Sequence, residues 1–161
     1  MADHSDCPNA AGGGLLPAEL HAWMLMLAAT GAVEQELRGV VKEGLGVSHD
    51  EFLILCLLAG KPGESVRMTR ISELLGRPKT RLTYQIACLQ HAGLVTRASV
   101  CGDKRGVEVA LTEKARGLLR ETSDLIAVTV KESLGRFMGP EQCAAMRALM
   151  PDPAEPAERA E

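Results

Sequence analysis

Aromatic side chains are nearly missing from this chain: one Trp, one Tyr and two Phe make up 2% of its 161 residues. That scarcity argues against single-stranded nucleic-acid binding, which stacks bases on rings, and it leaves the core to Leu, Val, Ala and Met. No CxxC pair occurs among the five cysteines, and an odd count fits a reducing cytoplasm better than a disulfide framework. His4, His21, His49 and His91 have no ligand spacing with those cysteines, so neither a metal site nor a cofactor is read here. No secretory signal is visible, and the apolar stretch from Trp23 to Ala29 is far too short to span a bilayer. Ser/His/Asp, HExxH and phosphate-loop patterns are also lacking, and with them the grounds for an enzyme. The expectation is a cytoplasmic, non-catalytic chain with no membrane partner.

What the chain does have is a strong internal division of charge. The formal net charge is −3, yet residues 61–120 hold twelve Lys/Arg against five Asp/Glu, a balance of +7, while the remainder carries −10. A basic middle in an acidic frame suits one surface facing a polyanion and another that never meets it.

Within that middle, residues 69–112 are the most informative. Thr69 is placed to cap a short amphipathic helix carrying Ile71, Leu74 and Leu75, which Gly76 stops. Pro78 then opens a second helix, with Leu82, Ile86, Leu89 and Ala92 spaced by about one turn. Lys79, Arg81, Thr83, Tyr84 and Gln85 are expected to face outward from its N-terminal half. Gly93 ends it, and two strand-like runs follow, Leu94 to Val100 and the alternating Val107, Val109 and Leu111, joined by a turn at Cys101–Lys104. Helix, tight turn, helix and hairpin is the order of a winged helix-turn-helix, whose second helix enters a DNA major groove.

The run LLGRPKTRLTYQIACLQHAGLV resembles the recognition-helix segment of the MarR family of transcriptional regulators, and DKRGVEVALTEKARGLL resembles that family's wing and the start of its long dimerisation helix. Asp103, Arg105, the Leu111–Thr112 pair and Lys114 fall where the family's wing pattern has them. Pro78 departs from it, standing where many members have a Ser or Thr, and Ala115 stands where Gly is common. The resemblance implies a mainly α fold with a small β-hairpin wing, flanked by N- and C-terminal dimerisation helices. It makes 15–150 one domain, while the Gly triplet and small polar residues of 1–14 and the Pro/Ala/Glu run of 151–161 read as disordered tails. Inside the domain, 48–112 is the DNA-binding module, and 15–45 and 112–150 are the dimerisation helices.

The flanks fit that plan. From Pro17 to about Gly44, Leu20, Trp23, Met24, Leu27, Leu37, Val40 and Val41 recur at three- and four-residue steps, a helix of about 42 Å. Such a helix overreaches a small winged module, and the resemblance implies that its surplus apolar stripe meets another subunit. Ser48 and Glu51 form a capping-box pattern before a helix that is apolar almost all round, including Phe52, Leu53, Leu55, Cys56 and Leu58. Thr112 is placed to cap the last long helix, which runs through Leu118, Leu119, Leu125, Ile126, Leu134 and Phe137 to about Met138. A short final helix, Glu141 to Met150, follows. A homodimer would set two recognition helices on one face of double-stranded DNA, so the operator is expected to be a palindrome.

Arg105 beside the hairpin turn, with Lys104, is expected to reach a minor groove, and Asp103 to hold the guanidinium of Arg105. Lys79, Arg81, Thr83 and Gln85 are the candidate groove contacts, and Arg77 and Thr80 the candidate phosphate contacts. The family commonly binds small aromatic effectors, for which His21, Trp23, Met24 and Phe52 are the candidate lining. Cys101, next to Lys104 and Arg105, and Cys7 are the candidates for a redox-sensing alternative, whereas Cys56, Cys88 and Cys143 read as packing residues. A winged module that binds another protein instead of DNA is the remaining alternative. The overall reading is a ligand-responsive repressor.

Overall fold

Helix starts in this chain are set by chemistry visible at single positions. The computed structural model describes residues 17–60, 63–100, 102–142 and 144, with the side chains of Ala18, Lys104 and Arg105 left out. Pro17 precedes α1 (Ala18–Leu45), which ends at Gly46 in a left-handed conformation, φ 71°. Ser48 accepts from the Glu51 amide while the Glu51 carboxylate accepts from the Ser48 amide, so the expected capping box opens α2 (His49–Ala59). Thr112 accepts from the Ala115 amide and opens α5 (Glu113–Gly135).

Between these helices lie β1 (Val66–Arg67), α3 (Met68–Leu75), α4 (Lys79–His91), β2 (Val95–Val100) and β3 (Asp103–Leu111). Gly76, at φ 59°, stops α3 as its position suggested. Pro78 stands just before the first helical residue of α4 and not within it. Thr69 does not cap α3. The helix begins one residue earlier, at Met68, because Arg67 is still extended as part of a strand. That strand was not foreseen: β1 pairs antiparallel with β3, Val66 opposite Val109 and Arg67 opposite Glu108, giving a three-stranded sheet ordered β1-β3-β2.

One core joins all of this. Leu37, Val41 and Leu45 of α1, Phe52, Ile54, Leu55 and Leu58 of α2, Leu82, Ile86 and Leu89 of α4, and Val95 and Val109 of the sheet are buried together. The cover of α2 is incomplete, leaving Cys56 exposed where a packing residue was expected, while Cys88 is half-buried. The first half of α1 takes no part in this core. Residues 19–28 are all exposed, and Leu20, Trp23, Met24, Leu25, Met26 and Leu27 stand 42–55% open to solvent. The expected overreach of α1 is therefore present, and Leu125 and Val128 on α5 are also exposed. No helix among the described residues is long and apolar enough to cross a membrane.

α5 ends at Gly135, three residues before the expected stop, and residues 140–142 and 144 are helical. The expected tails, Cys7, Cys101, Cys143 and most of the final helix fall outside the described residues.

Candidate nucleic-acid interface

The outward surface of α4 is built by elimination. Leu82, Gln85, Ile86 and Leu89 occupy the buried stripe, so Lys79, Thr80, Arg81, Thr83 and Tyr84 remain on the open side. Thr83 Oγ donates back to the Lys79 carbonyl at 2.8 Å. Tyr84 is 71% exposed. Gln85 departs from expectation. Its spacing with Leu82, Ile86 and Leu89 puts it on the buried face, where it is 6% exposed and donates to Asp50 at 3.4 Å. It does not face a groove, and the spacing itself was the signal that should have excluded it.

Asp50, in the first turn of α2, is the anchor of this side of α4. Its carboxylate accepts from Arg77 at 2.6 Å through one oxygen, and from Arg81 and Gln85 through the other. Partial burial would raise the Asp50 pKa, but the Arg77 and Arg81 guanidiniums outweigh it and hold the carboxyl below its ordinary value. Arg77, with a side chain only 17% exposed, is thus committed to the protein rather than presented to a phosphate. Arg81 remains 61% exposed despite its pairing.

The wing is more irregular than a plain hairpin. Val100 pairs with Asp103, but Ser99 pairs with Val107, so Lys104, Arg105 and Gly106 bulge from β3 with nothing opposite them on β2. Gly106 is required there: a Cβ would lie 2.7 Å from Asp103 Oδ2 and 2.8 Å from Val100 Cγ2. The bulge carries two consecutive basic residues at the tip of the sheet. The side chains of Lys104 and Arg105 lie outside the described part of the structure, and with them the expected Asp103–Arg105 contact. Asp103 Oδ2 is 3.6 Å from Arg67 Nη1.

Arg67 is the residue the sequence reading missed. Brought beside the wing by β1, it lines a groove of about 330 Å³ with Lys79 and Thr83 of α4 and with Asp103, Gly106 and Val107 of the wing. Its position depends on a two-residue strand paired with a partner more than forty positions away, so no local pattern marks it.

The far end of α4 is fastened to α5. Lys114 Nζ donates to the Ala92 carbonyl at 2.8 Å, and Thr112 Oγ1 donates to the Gly93 carbonyl at 2.8 Å while the Thr112 amide donates to Leu94. These residues carried the family resemblance, and the contacts give that pattern a physical role.

The four candidate effector residues are not assembled within the chain. Phe52 is sealed in the core, whereas His21, Trp23 and Met24 lie on the exposed half of α1. A bulky apolar side chain at the centre of α2 is simply needed for packing. Both redox candidates, Cys101 and Cys7, fall outside the described residues. Packing around the Cys56 sulfur pushes that thiol up to about 11 even though part of the residue is open, which disfavours a thiolate.

Solved structures share this fold. Sco3205 from Streptomyces coelicolor, a MarR family transcriptional regulator solved in complex with DNA, superposes with a TM-score of 0.70 at 26% identity, covering 87% of this chain and 88% of that one. AbsC, a MarR family transcriptional regulator from the same organism, gives 0.69 at 25% identity over 87% and 95% of the two chains. Wild-type MarR from E. coli in its apo form gives 0.66 over 84% and 96%, and at 19% identity it speaks for the fold alone. No sequence-family model matches the chain, and no curated protein does.

Proposed function

We propose that this chain, a winged helix-turn-helix protein of the MarR family, is a transcriptional regulator that reads double-stranded DNA as a homodimer and represses until a small ligand releases it. The observation that carries the DNA reading is the open face of α4, Lys79, Thr80, Arg81 and Thr83, set beside a basic groove and a wing bulge bearing Lys104 and Arg105. Helix side chains supply contacts to base edges in a major groove, and the wing supplies cations to the neighbouring minor groove. The DNA complex of the Streptomyces relative supports the same use of this fold.

Dimerisation is supported by the exposed apolar half of α1, too large a patch to leave in water on a monomer. Two-fold symmetry then places two α4 helices about one DNA turn apart and selects a palindrome. A ligand that prefers a different subunit spacing would release the operator, and DNA would weaken that ligand by the same factor. The place of action is the cytoplasm.

Selection of duplexes from a random pool, followed by fluorescence anisotropy at several salt concentrations, tests the reading. A recovered palindrome that binds at least about a thousandfold more tightly than random duplex supports it. Arg105→Ala should weaken binding and make the salt dependence shallower by about one phosphate contact. A folded wild-type protein that enriches no sequence refutes it and favours a winged module serving a protein partner.

A further inference from the structure

Arg77, Arg81 and Gln85 follow one another at four-residue steps, so they form one stripe along α4 and the turn before it. All three donate to a single carboxylate, Asp50, contributed by α2 from 27 to 35 positions away. Among the described residues, no other side chain of α4 is tied to a charged group of another element by a recorded hydrogen bond or ion pair. The carboxylate is itself largely covered, 23% exposed.

We propose that Asp50 is a specificity-determining residue: it withholds Arg81 from the phosphate backbone and tightens the rotational setting of α4 about its own axis. This rests on the reading of the chain as a DNA reader. Two physical effects are involved. The first is rotational. Arg77 and Gln85 are 17% and 6% exposed, and bonding both to one carboxylate reinforces the rotation set by buried Leu82, Ile86 and Leu89, which leaves Lys79, Thr80 and Thr83 outward. The second is electrostatic. Sequence-independent DNA affinity comes from each cation that displaces a counterion at a phosphate. Arg81 is 61% exposed and long enough to reach a phosphate, but its guanidinium already has an anion. Wrong sequences therefore gain little from it, whereas on the right sequence the same arginine is already oriented for a bidentate base contact.

A merely structural ion pair makes a different prediction. Its loss would loosen α4 and weaken every duplex in proportion. Withholding, by contrast, predicts that removing the carboxylate strengthens the wrong complexes.

The experiment compares full-length wild type, Asp50→Asn, Asp50→Glu and the double variant Asp50→Asn/Arg81→Gln. Each is titrated against the selected duplex and random duplex at several salt concentrations, with a thermal melt at the same protein concentration. Asp50→Asn should bind random duplex about threefold to tenfold more tightly, with a log–log salt slope steeper by about 0.9 per subunit. Its preference for the selected duplex should fall by about tenfold or more. In the double variant the random-duplex slope should return to the wild-type value or below. Asp50→Glu keeps the anion but lengthens its arm by one methylene, so it should lose preference without a steeper random-duplex slope, and it serves if Asp50→Asn does not fold. A folded Asp50→Asn protein with unchanged preference, or one weakened equally on both duplexes, overturns the proposal and leaves the DNA reading standing. An Asp50→Glu protein with full wild-type preference overturns it as well. A wild type without any sequence preference overturns both.

Discussion

Gly44 on α1 packs directly against Thr122 of α5, and replacing it by Ala should destabilise the protein. A Cβ at this position would lie 2.6 Å from Thr122 Cγ2 and 3.2 Å from Thr122 Oγ1. Thr122 cannot easily turn aside, because it is 7% exposed and its hydroxyl donates to the Leu118 carbonyl at 2.6 Å. In an open helix the substitution would stabilise by about 0.5–1 kcal/mol, since Gly is the poorer helix former. Forcing a methyl into a filled contact costs about 1–3 kcal/mol, so the net change is a loss of about 0.5–2 kcal/mol. For a chain of this length that lowers the melting temperature by roughly 1–8 °C. Thr122→Ser supplies the control, because it deletes the methyl that clashes and keeps the hydroxyl bond. Alone it should cost about 1 kcal/mol for the buried methyl, but the Gly44→Ala/Thr122→Ser pair should be better than additive by about 1 kcal/mol or more. Urea denaturation and thermal melts followed by circular dichroism, at one fixed protein concentration so that self-association is constant, give all four corners of the cycle. A Gly44→Ala protein as stable as wild type, with an additive double variant, would refute the packing argument.

Further outcomes concern the groove, the wing, the anion pairs and the exposed half of α1. Arg67→Ala should weaken selected and random duplexes alike and make the salt slope shallower by about 0.9 per subunit; an unchanged slope in anisotropy titrations would remove Arg67 from the interface. Gly106→Ala should reduce duplex affinity by about tenfold, with a melting temperature within about 2 °C of wild type, because the bulge lies outside the core. Asp50 and Glu34 both have carboxyls held below their ordinary values, Glu34 chiefly by its hydrogen bond from Arg38. A group with a depressed folded pKa stabilises fully above its unfolded pKa and loses that contribution as pH falls through the folded one. Stability measured by urea titration should therefore be flat in these groups down to about pH 5, fall below the ordinary values of 3.8 and 4.5, and fall less steeply in Asp50→Asn. If the proposed dimer forms through the exposed half of α1, Leu27→Glu should turn it to monomer in sedimentation velocity, and a variant that stays dimeric would place the subunit contact elsewhere.

The long periodic helices and the capped starts were legible because their signals are local. Ser48 with Glu51, Thr112 before Glu113, and Gly76 after Leu75 each act within one turn. The two halves of α1 could also be told apart in principle, since the helix is simply longer than the module it packs on. What was not legible depends on residues far apart in sequence. β1 has only Val66 and Arg67, too few for a period, and exists because β3 offers it a ladder. Asp50 reads locally as an acid in a first helical turn, favourable there on dipole grounds, and nothing nearby reveals that three donors, from α4 and the turn before it, converge on it. Thr69 was misread as a cap for the same reason, as the strand before it is set from outside. Gln85 differs: its place on the buried stripe was available from spacing, and its polarity obscured it.

The fastening of Ala92 and Gly93 to Lys114 and Thr112 makes α4 the short arm of a lever whose long arm is α5. At 23 residues α5 is about 35 Å long. Pivoting it by only about 5–6° around its far end would carry the latched end of α4 by roughly 3.4 Å, the rise of one base pair along a strand. A fold joined in this way carries a change in the angle of α5 directly to the end of α4.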